Sequence, residues 1–123
     1  MLLQIHEEDL TSGIRLVELK GKLAMGRESQ RVEALVDDLV GDGHLRAIFD
    51  VTGVDYIDSA GIGMLALVSG KMREAGGRLA IVAPDGRVLQ MLKMTQIINI
   101  MNVYATVDAA EATFGSAQTE ASV

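Results

Sequence analysis

The sequence predicts a single α/β domain, with a mixed β-sheet of four to five strands that is covered on one face by about four helices. Three observations predict this class. Apolar strand-like segments alternate with amphipathic helical segments after an N-terminal hairpin pattern, which is typical of a sheet with packed helices. The length of 123 residues suits one domain. A hydrophobic content of 49% is enough for a core, and the core is aliphatic because aromatic residues make up only 3%.

The N-terminal residues predict a β-hairpin. Leu3 and Ile5 alternate with polar residues and predict a short edge strand. Residues 7–13 predict a polar turn, and residues 14–19 alternate again as a second strand, antiparallel to the first. Residues 20–23, with the sequence KGKL, predict a turn or bulge that ends this strand.

The middle of the chain predicts a helix, a buried strand and a second helix. The first helix spans residues 28–40, where Val32, Leu35, Val36, Leu39 and Val40 have helical spacing, and Gly41 ends it. Residues 46–51 predict a central strand, followed by a short loop at 52–55. The second helix spans residues 59–74. Its predicted sheet-facing stripe consists of Ile62, Leu65, Val68 and Met72. Met64 and Leu67 lie off that stripe and either pack against flanking elements or form an exposed apolar patch.

The C-terminal third predicts one more buried strand and three peripheral elements. The strand spans residues 79–82, and a short helix follows at 87–93. A lateral strand is predicted at 100–104 after a connection at 95–99. Thr106 is the predicted N-cap of a final helix that ends at Phe114. The domain is therefore predicted to span residues 1–114, with a flexible tail at 115–123.

Composition disfavours several classes of function. The net charge of −6 disfavours both a nucleic-acid partner and an anionic membrane surface. The absence of cysteine excludes disulfides and cysteine-based metal or redox sites. No apolar run approaches the roughly 18 residues of a spanning helix. The first residues lack the basic region and cleavage site of a signal peptide. We therefore expect a cytoplasmic protein.

The segment with the most functional information is residues 57–63, IDSAGIG, where a loop becomes a helix. Asp58 and Ser59 are both good N-cap residues. If Asp58 caps by accepting from the Gly61 N–H, Ser59 becomes the first helical residue and its hydroxyl is free. If Ser59 is the cap, its oxygen is occupied by backbone. Gly61 and Gly63 each cost about 1 kcal/mol relative to Ala, and we interpret them as room for another molecule to approach.

This segment resembles the signature of the STAS domain family, the anti-sigma factor antagonists. That signature has a strand ending in Asp, a short loop with Gly-Val, and an apolar residue followed by Asp-Ser-(Ser/Ala)-Gly-(Leu/Ile)-Gly at the start of a helix. The matching residues here are Phe49-Asp50, Gly53-Val54 and residues 57–63. The resemblance continues to about residue 114 and begins near residue 12, so it covers nearly the whole chain. It implies the STAS fold.

The resemblance also implies a partner-switching function. The partner is a serine-kinase anti-sigma factor, which binds the unphosphorylated form, releases a sigma factor and phosphorylates Ser59; a separate phosphatase resets the switch. The family's phosphoacceptor maps to Ser59 and its preceding Asp to Asp58, while Ala60 stands where many members have a second Ser. The expected partner-binding residues are Asp58, Ser59, Ala60, Gly61, Ile62, Gly63 and Met64. Asp50 and Asp55 are expected to support the site as acidic neighbours.

Other functions were weighed against this one. A STAS scaffold, or a nucleotide-binding or small-anion-binding module of a larger stress-signalling assembly, is the alternative. A homodimer is compatible with either. A Ser59 hydrolase is disfavoured because the Gly-x-Ser-x-Gly elbow is absent. A receiver-type role for Asp50 is disfavoured because residues 21–22, Gly-Lys, replace the acidic pair that would hold magnesium. We expect no enzyme activity, cofactor or metal, and regard Thr52 and Ser69 as weaker modification candidates.

Overall fold

The computed structural model describes residues 3–10, 13–24 and 26–121, with side chains as far as Phe114. The elements are β1 (Gln4–Asp9), β2 (Arg15–Leu23), α1 (Arg27–Gly41), β3 (Arg46–Ile57), α2 (Ser59–Glu74), β4 (Arg78–Val82), α3 (Arg87–Met94), a 3-10 helix (Ile97–Ile100), β5 (Asn102–Tyr104) and α4 (Val107–Ala121). The predicted polar turn at 7–13 includes residues 11 and 12, which lie outside the described residues, as do residues 1 and 2.

The sheet has five strands in the order of the chain, β1-β2-β3-β4-β5. β1 is antiparallel to β2, and the other three pairings are parallel. The predicted α/β class and mixed sheet are therefore confirmed. The parallel strands of the sheet are connected by α1, by α2 and by the segment that contains α3. Each crossover between parallel strands therefore includes a helix.

Helices cover both faces of the sheet, which corrects the prediction of one covered face. Phe49 of β3 lies in the core beneath α1 and α2, together with Leu65. Ile48, the preceding residue, lies in a second cluster on the opposite face with Ala110 and Phe114 of α4. The reason lies in the sequence of the central strands. Consecutive apolar residues, such as Ala47-Ile48-Phe49, are typical of strands that are buried on both sides.

β3 is longer than predicted, and the expected loop at 52–55 is wrong. The strand continues to Ile57 and pairs with β2 as far as Leu23. The prediction that residues 20–23 end the second strand is also wrong, because β2 continues to Leu23. Its pairing with β3 shifts register between Glu18 and Lys20 and between Gly21 and Lys22, and in both shifts the extra residue belongs to β3. β4 pairs with β3 only up to Asp50, so the polar residues beyond it face solvent. The sequence of this end of β3 resembles a loop because β4 does not pair with the strand there.

The remaining boundaries differ less. β1 extends to Asp9, which pairs with Arg15 of β2 in the antiparallel ladder. Glu7 and Asp9 also form ion pairs with Arg15 across the hairpin. These bonds, chiefly the one to Asp9, raise the pKa of Arg15. The predicted strand at 100–104 begins only at Asn102, since Ile97–Ile100 is a 3-10 helix. The Thr106 hydroxyl accepts from the Ala109 N–H at 3.1 Å, which confirms the predicted cap.

α4 extends beyond its predicted end at Phe114 and reaches Ala121. Residues 122 and 123 of the predicted tail lie outside the described residues. The domain boundary at residue 114 and the flexibility of the tail stay predictions. In the ranges that the structure describes, no helix has both the length and the apolarity that crossing a bilayer requires.

α2 matches its predicted bounds and is held in place from two sides. Its predicted stripe of Ile62, Leu65, Val68 and Met72 is buried. On its flank, the Lys71 Nζ lies 2.8 Å from a carboxylate oxygen of Glu33 and 2.8 Å from one of Asp37, both on α1. These two carboxylates, Asp37 most strongly, raise the pKa of Lys71. α2 is therefore fixed both to the sheet and to α1, and this holds its first turn in position.

Substitution of Phe114 tests whether α4 completes the second core cluster, which contains Ile48, Ala110 and Phe114. Its ring is buried and lies under the guanidinium groups of Arg46 and Arg78, 5.7 and 5.3 Å from the ring centroid. Phe114→Ala should destabilise the domain by about 3–5 kcal/mol, the usual cost of removing a buried Phe. Urea denaturation measures this change. Met94, which is 82% exposed, provides the control, and Met94→Ala should change stability by less than about 0.5 kcal/mol. Equal effects of the two variants would contradict this role of α4.

Candidate functional site

Asp58 is the N-cap of α2. Its backbone is extended, with φ −111° and ψ −177°, and its side chain accepts a 2.8 Å hydrogen bond from the Gly61 N–H. Its carbonyl oxygen accepts from the Ile62 N–H at 3.0 Å. Of the two predicted arrangements, the first is therefore confirmed. Ser59 is the first helical residue and is exposed, and the cap position belongs to its neighbour.

The two glycines of the first turn have different roles. A methyl group on Gly61 would lie 2.3 Å from the Leu23 carbonyl oxygen and 2.9 Å from Ile57 Cγ1. Gly61 thus lets the start of α2 lie directly against the end of β2, and the interpretation that it makes room for a partner is wrong. Gly63 is exposed, and a methyl group there would have no atom within 4 Å. Only Gly63 leaves open space outside the helix.

Burial divides the predicted partner-binding residues into two groups. Ser59 and Gly63 are exposed, and Asp58 and Ala60 are half-buried. The others, Gly61, Ile62 and Met64, are buried. Ile62 and Met64 belong to the main core and offer little surface to a partner, while the partner-binding role of the whole set stays a prediction. Met64 and Leu67 were both predicted either to pack against flanking elements or to form an exposed apolar patch. Met64 packs inward, while Leu67 is 45% exposed.

Three exposed residues of α2 form one surface, which we call the α2 face: Ser59, Gly63 and Leu67. They are at positions i, i+4 and i+8, and therefore lie in a row along the helix. Tyr56, at the end of β3, is 46% exposed. The Lys22 Nζ lies 5.2 Å from the centroid of its ring. Sequence reasoning missed Tyr56 and Lys22, because their pairing depends on the unexpected extension of β3 and β2.

The Asp50 side chain forms local hydrogen bonds with Thr52 within β3. Its Oδ1 accepts from the Thr52 N–H at 3.0 Å and from the Thr52 hydroxyl. Asp55 is exposed and lines a small cavity beside the start of α3. The supporting role of both carboxylates beside Ser59 stays a prediction. Ser69 is only 7% exposed, and this burial rules it out as a modification site in the folded domain.

The histidines lie elsewhere. His6 is on β1, where its Nε2 is 3.9 Å from Glu8 Oε1, and His44 lies 3.4 Å from Arg15 of β2. Neither contact involves Ser59, so neither supports the hypothesis of a Ser59 hydrolase. One metal-compatible cluster occurs in the described part of the chain: ligand atoms of His6, Glu8 and Glu18 lie within 4.8 Å of one another. This cluster could not be predicted from the sequence, because only the register of β1 and β2 places His6 opposite Glu18. Exposed clusters of this kind commonly hold no ion, so we assign none.

Comparison with known proteins gives a consistent result. The sequence model of the STAS domain family matches residues 7–110. A candidate anti-sigma factor antagonist of Bordetella bronchiseptica, BtrV, is 27% identical over 109 residues, which cover 89% of this chain and 93% of that protein.

Solved structures share the fold. An anti-sigma factor antagonist from Mycobacterium paratuberculosis superposes with a TM-score of 0.77 at 20% identity, over 90% of this chain and 92% of that one. The antagonist SpoIIAA in its unphosphorylated form gives 0.69 at 16% identity, over 94% and 98% of the chains. The phosphorylated form of SpoIIAA from Bacillus gives 0.67 at 15% identity, over 89% and 99%.

The different roles of Gly61 and Gly63 can be measured directly. Gly61→Ala should destabilise the domain by about 1–3 kcal/mol, because the added methyl meets backbone that cannot rotate away. Gly63→Ala should stabilise it by about 0.5–1 kcal/mol, because the chain loses freedom in the unfolded state and gains no clash. The measurement is chemical denaturation of the two variants beside the wild type. A loss of stability in both would show that the first turn needs two glycines for folding.

Proposed function

Because the chain belongs to the STAS domain family, we propose that it is an anti-sigma factor antagonist that is switched by phosphorylation of Ser59. The observation that carries the proposal is the exposed position of Ser59 directly after the Asp58 cap. The Asp58 carboxylate accepts from a backbone N–H at the start of the helix, so the Ser59 hydroxyl is not needed as a cap. A kinase can reach it without unfolding the helix.

The start of α2 tolerates the added charge of a phosphate. Phosphorylation adds about −1.5 to −2 charge and three acceptor oxygens. A helix N-terminus has about half a positive charge and backbone N–H groups that lack helical partners. Gly63, one turn further along, leaves space on the same face. We therefore expect phosphorylation to leave the fold intact and to act on the surface.

The proposed partner docks on the α2 face. Leu67 offers exposed apolar surface in the same row as Ser59 and Gly63, and the helix backbone is accessible at Gly63. A phosphate at Ser59 replaces a small hydroxyl with a bulky anion in the middle of this face. Burying that anion in the interface without a matching cation weakens the binding free energy by about 2–5 kcal/mol. That is enough to dissociate a complex of moderate affinity.

The proposed cycle follows from this geometry and from the relatives. The unphosphorylated domain binds a serine-kinase anti-sigma factor and so frees a sigma factor. The kinase then phosphorylates Ser59 and the complex separates, until a phosphatase removes the phosphate, all in the cytoplasm. The names of relatives such as BtrV support the antagonist role. The existence of SpoIIAA in unphosphorylated and phosphorylated forms supports a phosphorylation switch on this fold.

Intact mass spectrometry tests the modification. Incubation with ATP and the anti-sigma factor kinase of the same organism should add one phosphoryl group to the wild type and none to Ser59→Ala. Thr52→Ala is the matched control, since Thr52 is also an exposed hydroxyl, and it should still be modified. A mass increase that survives in Ser59→Ala, or no increase in the wild type, would remove the claim. Ser59→Asp should weaken kinase binding while the melting temperature changes little.

Binding measurements test the docking face separately from the modification. Gly63→Gln and Leu67→Gln should each weaken binding of the same kinase tenfold or more, corresponding to about 1.4 kcal/mol, because one blocks the exposed backbone and the other removes an apolar contact. Glu74→Gln, on the last turn of α2, is the control and should bind like the wild type. If all three variants bind normally, the partner does not use this face.

A further inference from the structure

The outer edge of β1 is a free strand edge, because in the described part of the chain β1 pairs with β2 alone. Opposite residues in an antiparallel pair alternate between those that exchange ladder hydrogen bonds and those whose N–H and C=O groups point outward. The Leu10 N–H donates to the Ile14 carbonyl at 2.8 Å and continues the register of the ladder as a bonded pair. By this alternation, the N–H and C=O groups of Ile5 and Glu7 point away from β2.

A contact of Arg31 on α1 agrees with this direction. Its Nη1 donates to the Leu3 carbonyl at 2.8 Å, and Leu3 has the same place in the alternation as Ile5 and Glu7. Among the residues that the structure describes, this is the one side-chain hydrogen bond to the outward backbone groups of these three residues. The backbone of Ile5 and Glu7 therefore offers donors and acceptors to a further strand.

A groove of about 560 Å³ lies beside this edge, between β1 and α1. Ile5 and Glu7 line it from β1, and one flank of α1 lines it from the helix, with residues Arg31, Ala34, Leu35, Asp38, Leu39 and Asp42. Ile5 and Leu35 are partly buried and pack against the main core, so they form an apolar floor. A strand added beside β1 would place alternate side chains over this floor.

A second groove, of about 450 Å³, lies on the other face of β1. It is lined by Gln4, His6, Glu18 and Lys20, together with Ile5. Gln4 and His6 point to the opposite face from the side chains of Ile5 and Glu7, because successive residues of a strand alternate between the faces. The free edge therefore has space for side chains on both faces of the sheet.

Carboxylates outnumber basic groups along this edge. Five lie on β1 or on the α1 side of the first groove: Glu7, Glu8, Asp9, Asp38 and Asp42. The lining of that groove contains two basic residues, and one of them, Arg15, is held in ion pairs by Glu7 and Asp9. A second copy of β1 would bring the same acidic residues beside these, and like charges on paired strands are destabilising. The charges thus favour a basic strand and disfavour self-pairing.

We propose that the outer edge of β1 binds an extended basic segment of a partner protein, which joins the five-stranded sheet as an additional edge strand. Main-chain hydrogen bonds to Ile5 and Glu7 supply affinity, and alternate side chains enter the two grooves. Lysine or arginine side chains of the segment meet Asp38 and Asp42, while apolar ones cover the floor. α1 separates this edge from α2, since its opposite flank binds Lys71, so the site does not depend on the proposed switch.

A six-residue peptide of alternating valine and lysine, acetylated and amidated at its ends, is the probe. Fluorescence anisotropy of a labelled form should show saturable one-to-one binding to the full chain, and hydrogen exchange of the Ile5 and Glu7 amides should slow in the complex. The same peptide with glutamate in place of lysine should bind more weakly by about tenfold or more. The absence of saturable binding at millimolar concentration would overturn the proposal.

N-methylated forms of the peptide separate strand pairing from charge attraction. Methylation of one alternate set of residues should abolish binding, because it removes the N–H donors that face β1. Methylation of the other set should leave binding intact, because those N–H groups face away. If neither set changes the affinity, the peptide binds without joining the sheet, and the proposal is wrong.

Two substitutions of Glu7 test the same hydrogen bonds from the side of the protein. Glu7→Gln and Glu7→Pro both lose the ion pair with Arg15, and only the proline variant also loses the outward N–H. Edge strands tolerate proline where the N–H faces solvent. Glu7→Pro should bind the peptide more weakly than Glu7→Gln by about tenfold or more. Equal affinities would overturn the proposal, and the N-methylated peptides decide the matter if the proline variant does not fold.

Asp38→Asn tests the charge of the groove and should lower the affinity severalfold. Asp108→Asn is the matched control, because Asp108 is an exposed aspartate on α4 and its loss changes the net charge equally. An equal loss in this control would show a response to overall charge and would contradict the site. Size-exclusion chromatography tests the other occupant. A wild-type dimer that Glu7→Pro converts to a monomer would show that a second copy covers the edge, and would overturn the proposal.

Discussion

The hydrogen bond between the Asp58 carboxylate and the Gly61 N–H determines what the start of α2 can do. It satisfies the helix with an aspartate and leaves the following serine exposed as the first helical residue. A serine in the cap position would have its oxygen engaged with the backbone, and a kinase would have to break that bond. The order Asp-Ser thus gives the cap to Asp58 and leaves the Ser59 hydroxyl exposed for the proposed phosphorylation.

The cap works because the end of β2 and the start of α2 touch. Gly61 is the point of contact, and the Leu23 carbonyl oxygen occupies the space that any larger residue would need. This contact exists because β2 and β3 run on together past the end of β4, as far as Leu23 and Ile57. The long ladder therefore fixes the position of the helix start, while Lys71 fixes the rest of the helix to α1. A phosphate added at Ser59 would therefore meet a rigid support, so we expect its effect at the surface and not in the fold.

Periodicity was enough to predict the order of the elements and the bounds of α2. Cap chemistry left two arrangements of Asp58 and Ser59 open, and the structure decides between them. They failed where exposure depends on distant parts of the chain. The polar end of β3 looked like a loop because the sequence does not show where β4 stops. α4 was placed on the wrong face because its small residues give a weak pattern. Gly61 and Gly63 look equivalent in sequence, and only the nearby Leu23 distinguishes them. Tyr56 and Lys22 required the strand register.

The helical spacing of α2 separates the residues that face solvent from those that hold the helix in place. Ser59, Gly63 and Leu67 lie in one row and are exposed. Ile62, Leu65, Val68 and Met72 lie on another side of the helix and are buried. Because the buried stripe holds the helix on the sheet, a charge added at the start of the exposed row would act on what can dock there while the fold stays the same.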